Sequence, residues 1–124
     1  LGFLWRPKMQ INLESYSFYI KPGSVDMRKG ARSLAYIVQE EMGLAPFSKS
    51  VFVFCGKNKR ILKAIVWDNN GWIEIIKRLE SPGAFRWPQS EAEALHVSVD
   101  ELLATLKGHD VWRVLPVLTP RFVG

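Results

Sequence analysis

Ile61-Leu62-Lys63-Ala64-Ile65-Val66-Trp67-Asp68 and Trp72-Ile73-Glu74-Ile75-Ile76-Lys77-Arg78-Leu79 flank Asn69-Asn70-Gly71, and the architecture follows from how these runs pair. Both are rich in β-branched and aromatic residues, which suit a pleated surface. The Asn-Gly step between them is the strongest short hairpin signal a sequence offers. With Asn70 and Gly71 as the central turn residues, Val66 faces Ile75 and Leu62 faces Leu79. Ile65 with Ile76 and Lys63 with Arg78 then share the opposite face. A three-residue loop would change this register.

Upstream, Val51-Phe52-Val53-Phe54 is short and wholly apolar, as expected of a strand covered on both faces. Tyr16 to Lys21 is a further strand candidate that stops at Pro22-Gly23. Between the two, Asp26 reads as an N-cap, and Met27, Ala31, Leu34, Val38 and Met42 form one stripe at helical spacing. Gly43 stands where a left-handed residue closes a helix, and Gly30 weakens its interior by about 1 kcal/mol relative to alanine. A second helix is expected over residues 99–107. Ser98 to Glu101 reads as its capping box, Val97 and Leu102 as its hydrophobic staple, and Leu102, Leu103 and Leu106 as its buried stripe. The fold class is α+β: one small domain, an antiparallel β-hairpin sheet packed against two helices. Its expected bounds are residues 15–109, with a flexible tail over 1–14 and an irregular one over 110–124, where Pro116 and Pro120 oppose regular structure.

Bulk properties narrow the function. At 124 residues and 48% apolar composition, the chain supports one core. A net charge of +5 fits an anionic partner such as nucleic acid. One cysteine, Cys55, excludes an intramolecular disulfide and suits a reducing cytoplasm. No apolar run approaches the roughly 18 residues that span a bilayer, and Leu1 to Trp5 is too short for a signal-peptide core, so no membrane partner is expected.

The charge is concentrated. Residues 57–87 hold Lys57, Lys59, Arg60, Lys63, Lys77, Arg78 and Arg86 against three acids, a net +4, interleaved with Trp67, Trp72, Phe85 and Trp87. Such a mixture suits phosphate contacts and base stacking. It equally suits a solvated hairpin edge guarded by charge over core tryptophans. Arg28, Lys29 and Arg32 fall in the first two turns of the expected helix, where the macrodipole favours anions, so the end would seat a phosphate. The alternative there is compensation by Asp26, Glu40 and Glu41.

Catalytic patterns are missing. Asp26, Asp68 and Glu74 could be proposed as the carboxylate trio of two-metal phosphoryl transfer, but a helix cap and a hairpin turn explain the two aspartates better. His96 and His109 lack ligand spacing with each other or Cys55. No phosphate-binding loop or dinucleotide fingerprint occurs. No metal, cofactor or catalytic residue is assigned.

Several short motifs follow one another in order: Val25-Asp26-Met27-Arg28-Lys29-Gly30, Pro46-Phe47-Ser48, Val51 to Phe54, Leu62-Lys63, Trp67-Asp68 and Gly71-Trp72. Lys77-Arg78-Leu79-Glu80 and Phe85-Arg86-Trp87-Pro88 complete the series. Together, over roughly Phe18 to Gly108, it resembles the small TnpB accessory family encoded beside the transposase in bacterial insertion sequences of the "sixty-six" group. That family is distinct from the RNA-guided nuclease sharing the label. The resemblance implies a non-catalytic role in transposition. Its partners would be DNA, or the transposase as a docking partner without DNA contact. Members of that family usually carry an Asn-Arg-Arg-like turn after the Phe-Val-Phe strand, and here Cys55-Gly56-Lys57-Asn58-Lys59-Arg60 stands instead. Lysine keeps the charge but loses the bidentate fork. The expected nucleic-acid residues are Arg28, Lys29, Arg32, Lys57, Lys59, Arg60, Lys63, Lys77, Arg78 and Arg86. Phe85, Trp87 and the segment 112–118 would form the docking patch in the alternative. Oligomeric state is left open.

Overall fold

A computed structural model describes residues 15–90, 96–97 and 99–106. The chain order is β1 (Ser17–Ile20), α1 (Ala31–Glu40), β2 (Ser50–Cys55), β3 (Ile61–Asp68), β4 (Gly71–Arg78), β5 (His96–Val97) and α2 (Val99–Leu106). The strands form one sheet in the order β4-β3-β2-β1-β5. The fold is α+β, and the β3–β4 hairpin is present, but the sheet is mixed. β1 and β2 pair in parallel, Phe18 against Val51 and Ile20 against Val53, whereas every other pairing is antiparallel. A parallel neighbour needs a crossover, and α1 supplies it.

All six residues of β2 are buried, as its unbroken apolar run predicts. Phe52 and Phe54 point to one face with Ile65, where Ala31, Leu34, Ala35, Ile37 and Val38 of α1 pack on them. Val51, Val53 and Cys55 point to the other with Phe18, Ile20, Leu62 and Val66. Phe85 and Trp87 close that second face. The connecting segment is tied down at Phe85 N–H to Lys59 O (2.7 Å), Trp87 Nε1 to Lys21 O (2.9 Å) and Gly23 N–H to Pro88 O (2.9 Å). Phe85 and Trp87 are therefore core and do not form an exposed docking patch.

The hairpin register differs from the expected one by two residues. Val66 pairs Ile73, Ile65 pairs Glu74, Lys63 pairs Ile76 and Leu62 pairs Lys77. The turn residues are Asn69, in the left-handed region at φ +56°, and Asn70, and Gly71 already pairs Asp68. Asparagine tolerates that conformation, so the glycine is not required there. Because the shift is even, each side chain keeps the face assigned to it.

α1 begins later than expected. The Asp26 carboxylate accepts the Arg28 N–H (2.9 Å), and Lys29 N–H donates to Asp26 O (3.1 Å), closing a separate turn. Gly30 is then extended, at φ −84° and ψ −179°, and serves as N-cap, so it carries no penalty inside the helix. Arg28 and Lys29 precede the helix, and only Arg32 lies in its first turn. At the far end Gly43 adopts φ +66°, as expected of a closing glycine, and Leu44 N–H donates to Val38 O (3.1 Å).

β5 sets His96 as a strand residue opposite Tyr19, just before α2. In α2, Leu103 is 48% exposed and leaves the expected buried stripe, whereas Thr105 is buried, its hydroxyl donating to Glu101 O (3.0 Å). Ser98, His109, both expected tails and the 112–118 segment lie outside the described residues. No helix among the described residues is long and apolar enough to cross a membrane.

Candidate nucleic-acid interface

The pairing registers place the ends of β1, β2 and β4 and the start of β3 at one end of the sheet. The loops there carry most of the expected cations. The 21–30 segment crosses this end, held by Val25 N–H to Cys55 O (2.9 Å), and sets Asp26 and Met27, next to Arg28 and Lys29 in the chain, against Lys57 and Arg60 of the β2–β3 turn. Lys77 and Arg78 end β4 on the same side. Arg86 lies between the two anchor points at Phe85 and Trp87. A depression of about 520 Å³ separates the two loops, lined by Val25, Asp26, Met27, Lys57, Asn58 and Arg60 among others.

These cations have different jobs. Lys63 is only 7% exposed, and its ammonium donates to Met27 O (3.0 Å) and Lys29 O (2.8 Å) with Glu74 3.7 Å away. It is an internal strut on the α1 face. Arg60 donates to Leu79 O (2.8 Å), Ser81 O (3.1 Å) and Gly83 O, bracing the chain as it leaves β4. Lys77 holds its ammonium 5.9 Å from the centre of the Phe85 ring. Lys29, Arg32, Lys57 and Arg78 are exposed and make no ion pair among the described residues.

Arg28 binds Asp26 through its Nε (3.0 Å to Oδ1) and Nη2 (2.8 Å to Oδ2). The Arg28 side-chain hydrogen bonds, then its backbone N–H, hold the Asp26 carboxyl well below the usual carboxylate range. The guanidinium is held more firmly protonated in return. Asp26 thus offsets one cation locally. Burial pushes the Cys55 thiol up to about 11, against a small opposing effect of Lys59. It is a core thiol, a poor nucleophile at neutral pH.

Asp26 and Asp68 stand at opposite ends of the sheet, so the Asp26, Asp68 and Glu74 trio does not assemble. Among the described residues no three His, Cys, Asp or Glu side chains gather in metal-holding geometry.

Sequence reasoning missed an aromatic cluster at the other end. Phe47, 63% exposed, packs against Trp67 (4.9 Å between centroids) and Trp72 (5.5 Å), which contact each other at 5.1 Å. Tyr36, 66% exposed, lies with Arg32, Gln39, Phe47 and Trp72 around a shallow groove of about 170 Å³. The Pro46-Phe47-Ser48 motif was the available signal. Its tie to the hairpin spans roughly twenty residues and has no local periodicity to announce it.

The fold and charge define a small mixed-sheet α+β protein with one cation-rich end. Residues 16–116 match the family described as IS66 Orf2-like protein, and the chain belongs to it. It is therefore an insertion-sequence-associated protein. It is 41% identical over 95 residues to the uncharacterized protein y4hO of Sinorhizobium fredii (strain NBRC 101917 / NGR234), covering 77% of this chain and 81% of that one. It is 37% identical over 90 residues to the uncharacterized protein y4jC of the same strain, covering 73% and 76%. No solved structure matches it.

Proposed function

We propose that this protein is a non-catalytic accessory factor in the transposition of its insertion sequence, and that it binds DNA through the cation-rich end of the sheet. The observation that carries the reading is the convergence of Lys29, Lys57, Lys59 and Arg86 at one end of the sheet from three separate places in the chain. Family membership supplies the biological setting. Exposed ammonium groups attract phosphates without demanding one geometry. The mode is therefore backbone attraction first, with little direct base readout from these residues. Lys63 and Arg60 support the loops and do not reach the DNA themselves.

The test is charge reversal at Lys29 and Lys57 in the full chain. Affinity for duplex DNA should fall at least about tenfold, and the salt slope should flatten by about 0.9 for each phosphate that is no longer neutralised. Unchanged affinity in the doubly reversed protein sinks this interface.

A second reading, docking on the transposase without DNA contact, is favoured by the exposed Tyr36 and Phe47. Clustered exposed aromatics suit a protein partner. Co-purification with the transposase that survives nuclease and high salt, and is lost in Phe47→Ala, would support it.

A further inference from the structure

β4 is the outermost strand of the sheet among the described residues. Its register against β3 is continuous over all eight residues, without proline, bulge or left-handed residue. Glu74 to Arg78 are all exposed, with Ile75 at 49% and Ile76 at 52%. Edges of this length and regularity are normally interrupted or covered, because their free main-chain groups template further pairing.

The free side has a defined set of hydrogen-bonding residues. Leu79 N–H donates to Arg60 O at 2.8 Å, so Leu79 is bonded towards β3. Bonded positions recur at every second residue of an antiparallel ladder. Trp72, Glu74, Ile76 and Arg78 therefore direct their main-chain groups away from β3.

We propose that β4 pairs with β4 of a second copy, antiparallel about a two-fold axis through Ile76, joining two five-stranded sheets into one. A two-fold axis perpendicular to a sheet keeps every side chain on its own face. Only residues an even number of positions apart then meet, which leaves few registers. Centring on Glu74 brings two carboxylates together. Centring on Ile75 sets Glu74 against Ile76 and Arg78 against Trp72, so neither charge meets its opposite. Centring on Arg78 sets the two guanidiniums opposite each other. Centring on Ile76 places Ile76 on Ile76 and Glu74 on Arg78 twice over, on the α1 side. It also sets Ile73 against Leu79 on the other face. Arg78 has no ion-pair partner among the described residues, and this register gives it one. The charges that would repel a random strand thus select this partner. The proposal does not depend on DNA binding.

Sedimentation equilibrium on the full chain should show a monomer–dimer equilibrium. Arg78→Glu should weaken it about tenfold or more, since two attractive pairs become two repulsive ones. Mixing Arg78→Glu with Glu74→Arg should restore association as a heterodimer, because both cross-pairs become Glu with Arg again. Should Glu74→Arg fail to fold beside Lys63, an independent variant keeps the register open to test. Ile76→Cys places two thiols across the dyad at a Cα spacing of about 5.5 Å, within disulfide range. Oxidised glutathione should link it into a covalent dimer while the natural chain, with Cys55 buried, stays unlinked. A monomer up to millimolar concentration overturns the proposal. So does a dimer that Arg78→Glu leaves intact and Ile76→Cys does not trap.

Discussion

The ammonium of Lys63 donates to the main-chain carbonyl of Lys29 at 2.8 Å, so a cation of the hairpin supports the loop that presents another. The same ammonium reaches Met27 O, and Glu74 lies near enough to balance its charge. A residue that composition groups with the surface cations thus acts inside the fold.

Replacing Lys63 with methionine keeps the length of the side chain but leaves two carbonyls without their donor and the Glu74 carboxylate without its ion-pair partner. Stability should fall by about 2–3 kcal/mol, read as a lower urea midpoint. DNA affinity per folded molecule should change far less than in Lys57→Glu. Equal loss of affinity in both would place Lys63 in the interface.

Arg60 is a brace of the same kind. Its fork bridges three carbonyls of the 79–83 segment, which one ammonium cannot reproduce. Arg60→Lys should therefore cost about 1–2 kcal/mol despite keeping the charge. Limited proteolysis should cut first between residues 79 and 84. A variant as stable and protease-resistant as the parent would remove the brace.

The Asp26–Arg28 pair sets a pH dependence. The folded carboxyl titrates below its unfolded value of about 3.9, so its contribution is complete above that pH and fades as acid is added through the folded value. Asp26→Asn should be somewhat less stable than the parent at neutral pH, and the two should converge in strong acid. The gap will be small because the pair is exposed. A gap that widens on acidification contradicts the assignment.

The β3–β4 turn separates two registers by simple substitutions. Asn69 carries the positive φ, and a Cβ at Gly71 meets nothing within 4 Å. Gly71→Ala should change stability by less than about 0.5 kcal/mol, whereas Asn69→Val should cost about 1–2 kcal/mol. Thermal denaturation reads both. The reverse order would restore the Asn70-Gly71 turn.

Much of the fold was legible because it was local. The apolar run of β2 announced a strand covered on both faces, and the turn between β3 and β4 assigned their faces even though the register moved. What was hidden depended on contacts far apart in sequence. Nothing near Tyr16 to Lys21 says that it pairs in parallel with β2, and nothing near Asp26 says that its loop is held by Lys63. The cation-rich end shows the same division. Clustered charge was visible in residues 57–87, but which cations are struts follows only from the carbonyls that Lys63 and Arg60 meet. Phe85 and Trp87 read equally as stacking residues or core until the second face needed a cover.

The most direct test of the central claim is fluorescence anisotropy of the full chain with labelled insertion-sequence-end duplex across a salt series, beside a scrambled duplex and the Lys29→Glu/Lys57→Glu protein. Binding should weaken steeply as salt rises, with a shallower slope and at least about tenfold weaker affinity in the reversed protein. Absence of binding at moderate salt, or binding that the reversal leaves unchanged, would contradict DNA binding through this end of the sheet.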